Sequence, residues 1–349
     1  MKKVLSLVFA FTLSLGIFGC GSSETDRNEI AMITDVGNID DKSFNQGTWE
    51  GVVAYAQKNA KSYKYFNPAK QSTEGYLAAI KLAVEGGAKV VITPGFLFVE
   101  PITLAQDLYP EVNFILVDGA PTTINSNTLS IIFAEEEAGY LAGYAAVMDG
   151  HTKLGFIGGV AVPAVVRYGY GFAQGAEAAA VELGIAKIDL KYHYAGGFEA
   201  TPKIEALAAS WYTDGTEVIF ACGGNIGKSA MSAAKMSTNA KVIGVDVDQS
   251  SESPTVITSA MKSLALSVEN ALTDHFNGNF NGGKSLVYDA SKNGVGLAMS
   301  SAKFSKFNKN DYDKVFTKLA AGEIVLQKDK DVDSADKLAL LRVKVALVD

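Results

Sequence analysis

Residues 35–46 (Asp-Val-Gly-Asn-Ile-Asp-Asp-Lys-Ser-Phe-Asn-Gln) bring carboxylates, amides and one aromatic ring together in a short stretch. Such side chains can bind a small molecule, because carboxylates accept hydrogen bonds from hydroxyl and N–H groups and an aromatic ring stacks on a flat ligand. Asp40 or Asp41 could instead cap a helix that begins near Ser43. A cap does not account for Phe44, one residue inside that helix, and we interpret Phe44 as a ligand contact.

Glycines, acids and phenylalanines recur where other β-rich runs end. The segments in question are 94–98, 118–119, 134–135, 158–159, 195–198, 223–225 and 246–248. Ligands of open parallel sheets bind beyond the carboxyl ends of the strands, so these segments are predicted to surround one site. Their side chains suit a flat small molecule that carries hydroxyl or amino groups.

Alternating β-rich and helical patterns are the elements that must position these residues. Strands are expected at 29–34, 64–67, 89–93, 112–117, 128–133, 153–157, 189–194, 217–222, 241–245 and 255–259. Helices are expected at 43–60, 72–85, 101–108, 165–183, 201–212 and 226–237. This alternation predicts parallel sheets with helices on both faces, and so many strands favour two sheets over one. The patterns leave residues 329–349 unplaced.

The composition excludes several classes of function. The 349 residues are 48% apolar and 20% charged, with a net charge of −7, which speaks against a nucleic-acid partner. Two cysteines, Cys20 and Cys222, and three histidines are too few for a structural zinc site, so no metal or cofactor is expected. No nucleophile–base pair can be picked out, and we expect no catalysis.

Two glycine-rich motifs resemble nucleotide-binding loops but fail their spacing. Residues 223–229 precede a helix as a P-loop does, yet the position that should be the first glycine is Cys222. Residues 155–159 do not fit the dinucleotide pattern either. We interpret 223–229 as a glycine-rich ligand loop and His193, on a predicted strand, as structural.

The N-terminus has the pattern of an exported lipoprotein. Two lysines precede an apolar run over residues 4–18, which is too short to span a bilayer but fits a secretory signal. Residues 17–20 (Ile-Phe-Gly-Cys) resemble the lipobox of bacterial lipoproteins. The resemblance implies a signal peptide at 1–19, a lipidated tether at 20–28 and an extracytoplasmic body anchored to the membrane through Cys20.

Residues 34–46 resemble the opening signature of the basic membrane protein family, bacterial lipoproteins similar to the purine-nucleoside-binding PnrA type. Further segments agree with the family, namely 117–119, 135–143, 162–172, 243–249 and 258–262. The resemblance covers about residues 30–324.

The resemblance implies a type I periplasmic-binding-protein fold, an α/β fold with two doubly wound parallel-sheet lobes joined by hinge strands. The expected N-terminal lobe is 29–134 plus 262–286, and the C-terminal lobe is 135–261 plus 287–349. The protein would be a monomer that closes on a purine nucleoside and delivers it to the permease subunits of an ABC transporter.

The resemblance also assigns residues to the ligand. They are Asp35, Phe44, Asn45, Asp118, Phe198, Asp246 and Lys262. Phe44 and Phe198 would sandwich the purine. Asp35, Asn45 and Asp118 would face polar atoms of the base or sugar. Asp246 and Lys262 would hold the ribose hydroxyls. The residues by themselves indicate only a flat, polyhydroxylated molecule. A sugar (ribose-type) receptor and a surface adhesin on the same fold therefore stay open as alternatives.

Overall fold

The structure is a computed structural model that describes residues 27–348. The predicted signal peptide 1–19, the lipidation site Cys20 and most of the tether 20–28 lie outside the described residues.

The described strands follow the predicted alternation. They are β1 (Ile30–Ile33), β2 (Tyr63–Phe66), β3 (Val90–Pro94), β4 (Asn113–Val117), β5 (Thr128–Phe133), β6 (Lys153–Gly158), β7 (Ile188–Tyr194), β8 (Val218–Cys222), β9 (Lys241–Asp246), β10 (Val256–Lys262), β11 (Lys284–Tyr288), β12 (Val295–Leu297) and β13 (Val343–Leu347). Each strand predicted from the sequence is present, with its ends shifted by a few residues at most.

The helices fill the intervals between the strands. They are α1 (Phe44–Lys58), α2 (Thr73–Glu85), α3 (Val99–Leu108), α4 (Glu135–Met148), α5 (Pro163–Glu182), α6 (Pro202–Thr213), α7 (Ile226–Lys235), α8 (Leu264–Phe276) and α9 (Lys309–Ala320). Within residues 27–348, none of the helices combines the length and the apolar character needed to cross a bilayer.

The strands form two sheets. The first has the order β11-β5-β4-β3-β1-β2, and the second has the order β12-β10-β9-β8-β6-β7-β13. Neighbouring strands pair in parallel except β12, which is antiparallel to β10. The chain moves to the second sheet after β5, returns after β10 and moves again after β11. The lobe boundaries expected from the sequence stay a prediction, while β10 extends to Lys262 and β11 to Tyr288.

Both faces of each sheet are covered, because successive residues of a strand enter different cores. In β1, Ile30 and Met32 join one buried cluster and Ala31 and Ile33 join another. The strand is buried throughout. Burial on both faces explains why the sequence shows continuous apolar runs here and not alternating ones.

The unplaced C-terminal segment completes the second sheet. Strand β13 pairs in parallel with β7, with Val343 opposite Ile188 and Leu347 opposite Tyr192. The Nδ1 atom of His193 lies 2.6 Å from the carbonyl oxygen of Val348, just beyond β13. His193 therefore has the structural role that its sequence context indicated.

Helices α4 and α5 touch through glycines. A Cβ at Gly139 or Gly143 of α4 would overlap backbone atoms of α5, and a Cβ at Gly171 or Gly175 of α5 would overlap backbone atoms of α4. Only glycine permits so close an approach of the two backbones. This contact fixes the start of α4, which carries a buried residue of the site described below.

Gly175→Ala is expected to lower the free energy of unfolding by about 1–3 kcal/mol, because the added methyl group would collide with the backbone of Tyr140. Chemical denaturation measures the effect. Gly227→Ala is the matched control, since a Cβ there meets only ordinary contacts at 3.6 Å and alanine favours the helix. Equal stabilities of the two variants would contradict the glycine contact.

Candidate functional site

A cleft lies at the carboxyl ends of the strands of both sheets. Its empty space, including the part that is open to solvent, is about 770 Å³. All the residues that the sequence assigned to a ligand line it, namely Asp35, Phe44, Asn45, Asp118, Phe198, Asp246 and Lys262. The structure thus brings together side chains that are far apart in the chain.

Asp41 holds the start of helix α1, which forms part of the cleft wall. Its carboxylate accepts hydrogen bonds from the backbone N–H groups of Ser43 (2.8 Å), Asn45 (3.0 Å) and Gln46 (3.1 Å). The sequence left Asp40 and Asp41 as alternative caps. Asp41 is the one that accepts hydrogen bonds from the N–H groups at the start of α1. The cap fixes the first turn of the helix and with it the positions of Phe44 and Asn45.

Asn45 and Asp35 form a pair beside this cap. Asn45 Nδ2 donates to Asp35 Oδ1 at 2.9 Å and to Asp41 Oδ2 at 3.0 Å. Burial raises the pKa of Asp35, against hydrogen bonds from Gly37 and Asn45. Gly95 has a φ of +113°, and a Cβ there would lie 2.8 Å from Asp35 Oδ2, so glycine leaves room for this carboxylate.

Lys262 is the centre of a buried ion cluster. Its ammonium group contacts the carboxylate of Asp118, lies 3.1 Å from Glu135 Oε1 and lies 3.9 Å from Asp246 Oδ1. All four residues are buried. Glu135 also pairs with Arg167, whose Nε lies 2.6 Å from Glu135 Oε2. Each carboxylate thus has a cation nearby, as a buried charge requires.

The cluster shifts the pKa values of its members. Burial raises the pKa of Asp118 to about 7, although the Lys262 ammonium opposes the shift and the Glu135 carboxylate adds to it. Burial acts to raise the pKa of Glu135 as well, but Lys262 and Arg167 outweigh it and lower that pKa. Burial would lower the pKa of Lys262, but its carboxylate neighbours raise it, so the lysine stays charged.

Aromatic rings enclose the same ammonium group. Lys262 Nζ lies 5.0 Å from the ring centroid of Phe44, 5.3 Å from that of Tyr168 and 5.5 Å from that of Phe133. Such distances allow cation–π attraction. The Phe44 ring therefore lies near the Lys262 ammonium on one side and is half-buried at the cleft wall.

Asp246 connects the two halves of the cleft. Ser43 Oγ, before α1, donates to Asp246 Oδ2 at 2.6 Å, and Tyr168 OH donates to Oδ1 at 3.5 Å. Asp246 is the last residue of β9 and Asp118 directly follows β4 in the other sheet. Both have left-handed backbones, with φ of +65° and +60°. Aspartate tolerates this conformation better than most residues.

Phe198 lies on a floor of glycine backbone. A Cβ at Gly159 would collide with its ring, and one at Gly223 would lie 2.9 Å from ring atom Cδ1. These glycines follow β6 and β8, so the segment 223–229 serves the cleft wall and not a P-loop. Phe198 is half-buried and follows β7 of the second sheet, whereas Phe44 follows β1 of the first sheet.

Four further residues that were not assigned to the ligand help to form the site. Asp41, Phe96 and Tyr168 line the cleft, and Glu135 lies behind it against Lys262. Glu135 and Phe96 belong to the strand-end segments that the sequence predicted to surround the site. Tyr168 lies in the interior of α5 among apolar residues, and no local signal distinguishes it. Within residues 27–348 no cluster of metal-ligating side chains is present.

Two sheets of this topology with a cleft at their carboxyl ends form the type I periplasmic-binding-protein fold. The structure is similar to a solved ABC transporter system solute-binding protein from Aeropyrum pernix K1. The TM-score is 0.78 with 22% identity, covering 88% of this chain and 95% of the other. This similarity establishes the fold.

The chain belongs to the family of PnrA-like ABC transporter substrate-binding proteins, whose model matches residues 28–330. It is 31% identical to the ABC transporter nucleoside-binding protein BmpA of Lactococcus lactis subsp. cremoris, over 86% of this chain and 93% of that protein. It is 30% identical to a CD4+ T-cell-stimulating antigen of Listeria monocytogenes, over 93% and 98% of the two chains. The protein is therefore an extracytoplasmic substrate-binding component of an ABC transporter.

Proposed function

We propose that this protein captures purine nucleosides in the cleft between its lobes, anchored to the membrane through Cys20, and presents them to its permease. The observation that carries the proposal is the pair of half-buried phenylalanines, Phe44 and Phe198, one from each lobe at the wall of one cleft. A purine offers two flat faces, and stacking one base on an aromatic side chain contributes about 1–3 kcal/mol. The nucleoside-binding relative in Lactococcus lactis supports the same ligand class.

The charges of the cleft support a ligand that donates hydrogen bonds. Asp35, Asp118 and Asp246 line it, and within the described residues the buried Oδ1 atom of Asp118 has no hydrogen-bond partner. Ribose hydroxyls and base N–H groups are donors that would meet these acceptors. A phosphate group would instead face several carboxylates while the ammonium of Lys262 is already paired, so we expect nucleosides to bind in preference to nucleotides.

In this proposal Lys262 both contacts the ribose and positions the neighbouring carboxylates. Since it contacts Asp118 and Glu135 and lies near Asp246, it holds carboxylates of both lobes in place in addition to facing the ribose. Two stacks and several hydrogen bonds to charged groups are sufficient for micromolar affinity, which requires about −8 kcal/mol.

Thermal unfolding of the full-length chain in mild detergent tests the proposal, with guanosine, adenosine, inosine, uridine, the free bases and ribose as ligands. A bound nucleoside at 100 times its Kd is expected to stabilise the protein by about 2.7 kcal/mol. Stabilisation by ribose but not by nucleosides would favour the sugar receptor. No response to any ligand would favour the adhesin, and release of free base would indicate an enzyme.

A further inference from the structure

Asn225 occupies a helix start without acting as its cap. It precedes α7, follows Gly223 and Gly224, and lines the cleft. An asparagine at this position ordinarily accepts a backbone N–H of the first turn through its side chain. Here the side chain makes no such bond, and the backbone carbonyl of Asn225 accepts from Lys228 N at 3.0 Å. The side-chain oxygen of Asn225 therefore accepts no hydrogen bond from the first turn of α7.

The orientation of the Asn225 amide follows from its one partner. Asn225 Nδ2 lies 3.4 Å from Glu199 Oε2. An ionised carboxylate only accepts hydrogen bonds, so the NH₂ group must face Glu199 and the oxygen must point away from it. Within residues 27–348, Asn225 Oδ1 is buried and has no hydrogen-bond partner. A buried acceptor without a donor costs about 1–3 kcal/mol, which a donor on a ligand would recover.

Asn225 directly follows two glycines that pack against Phe198, the proposed stacking residue. Glu199 directly follows Phe198, and the loop that carries Asn225 packs on Phe198: a Cβ at Gly224 would lie 3.3 Å from the Phe198 carbonyl oxygen. A base stacked on the Phe198 ring would therefore present an edge toward Asn225. The carboxylates of Asp35, Asp41, Asp118 and Asp246 also line the cleft, but they lie at or beyond the ends of other strands.

We propose that Asn225 is a specificity-determining residue, whose Oδ1 accepts a hydrogen bond from a ring N–H or amino group of the bound base. Glu199 is the positioning residue that orients the amide. The cleft then selects bases that carry an N–H donor on this edge over flat bases that carry none. This inference deepens the proposed nucleoside function and rests on it.

The test compares Kd values by calorimetry for full-length wild-type chain and Asn225→Ala. The ligands are guanosine, inosine, adenosine and purine riboside, the last having no N–H donor on its ring. Wild type is expected to bind at least one donor-bearing nucleoside about tenfold more tightly than purine riboside, because the wrong ligand leaves the buried oxygen unpaired. Asn225→Ala is expected to remove most of this ratio without lowering the melting temperature of the free protein.

Two further variants separate a specificity role from a structural one. Glu199→Gln is expected to reduce the ratio as well, because a glutamine amide can donate to Asn225 and no longer dictates its orientation. Asn310→Ala, on the exposed first turn of α9, is expected to leave the ratio unchanged. An unchanged ratio in Asn225→Ala would overturn the inference alone. Failure of every nucleoside to bind wild type would overturn the proposed function first.

Discussion

Lys262→Met is expected to lower the free energy of unfolding by about 3–5 kcal/mol, the effect of removing one partner of a buried ion pair. The ammonium group contacts Asp118 and Glu135 and lies 3.9 Å from Asp246, and all of these residues are buried. Methionine keeps the length of the side chain but leaves the carboxylates without this cation. Arg167 would still compensate Glu135, so Asp118 and Asp246 bear most of the cost.

The loss of stability in this variant is expected to depend on pH. Burial already raises the pKa of Asp118 to about 7 with Lys262 present, and without the ammonium the pKa rises further. A carboxyl whose pKa is raised in the folded state stabilises the fold below its unfolded pKa of about 3.9, and this contribution is lost as the pH rises through the folded pKa. The deficit of Lys262→Met should therefore be larger at pH 8 than at pH 5.

Urea denaturation at these two pH values measures both effects. Lys81→Met is the control, because Lys81 forms only an exposed pair with Glu85 and its loss should leave the stability nearly unchanged at either pH. If Lys262→Met proved as stable as wild type at pH 8, the carboxylates of the cleft would not be charged and the electrostatic description of the site would be wrong.

Phe44→Ala is expected to weaken nucleoside binding by about 5- to 150-fold, which corresponds to the loss of one aromatic stack of about 1–3 kcal/mol. The ring is half-buried at the cleft wall, held there by the capped first turn of α1 and 5.0 Å from the Lys262 ammonium. Because the ring is only partly covered by protein, the melting temperature of the unliganded variant should change little.

Calorimetry with the nucleoside that binds wild type most tightly measures the affinity, and thermal unfolding measures the stability. Phe304→Ala is the matched control: this phenylalanine is also half-buried, packs edge-on against Phe307 and does not line the cleft. It should leave the affinity unchanged. Loss of stability in Phe44→Ala with binding intact would mean that Phe44 is a core residue.

Local patterns in the sequence were sufficient for strands β1 to β10 and for six of the described helices, whereas α4, α8, α9 and the last three strands were not predicted. The apolar runs predicted the buried strands, because a strand covered on both faces must be apolar throughout, as β1 is. The position of residues at strand ends predicted that side chains as distant as Asp35 and Asp246 would line one cleft, since parallel strands collect their carboxyl ends at one edge. The cap at Asp41 could also be foreseen as one of two alternatives from its spacing to the helix.

Only the tertiary structure decided which of these side chains pair. Asp118 and Lys262 are 144 positions apart, and their contact depends on how the two sheets sit beside each other, which no local period encodes. The same holds for β13, whose alternating pattern does not say which strand it joins, and for the glycines between α4 and α5. That Asn225 Oδ1 has no hydrogen-bond donor nearby can be seen only once the positions of the neighbouring groups are known. The sequence by itself therefore determined most of the elements, through local periodicity, and the chemical types of the side chains that line the cleft. The tertiary packing determined the pKa shifts of these side chains, their hydrogen-bond partners and which of their polar atoms stay unpaired. These properties depend on distances between remote parts of the chain.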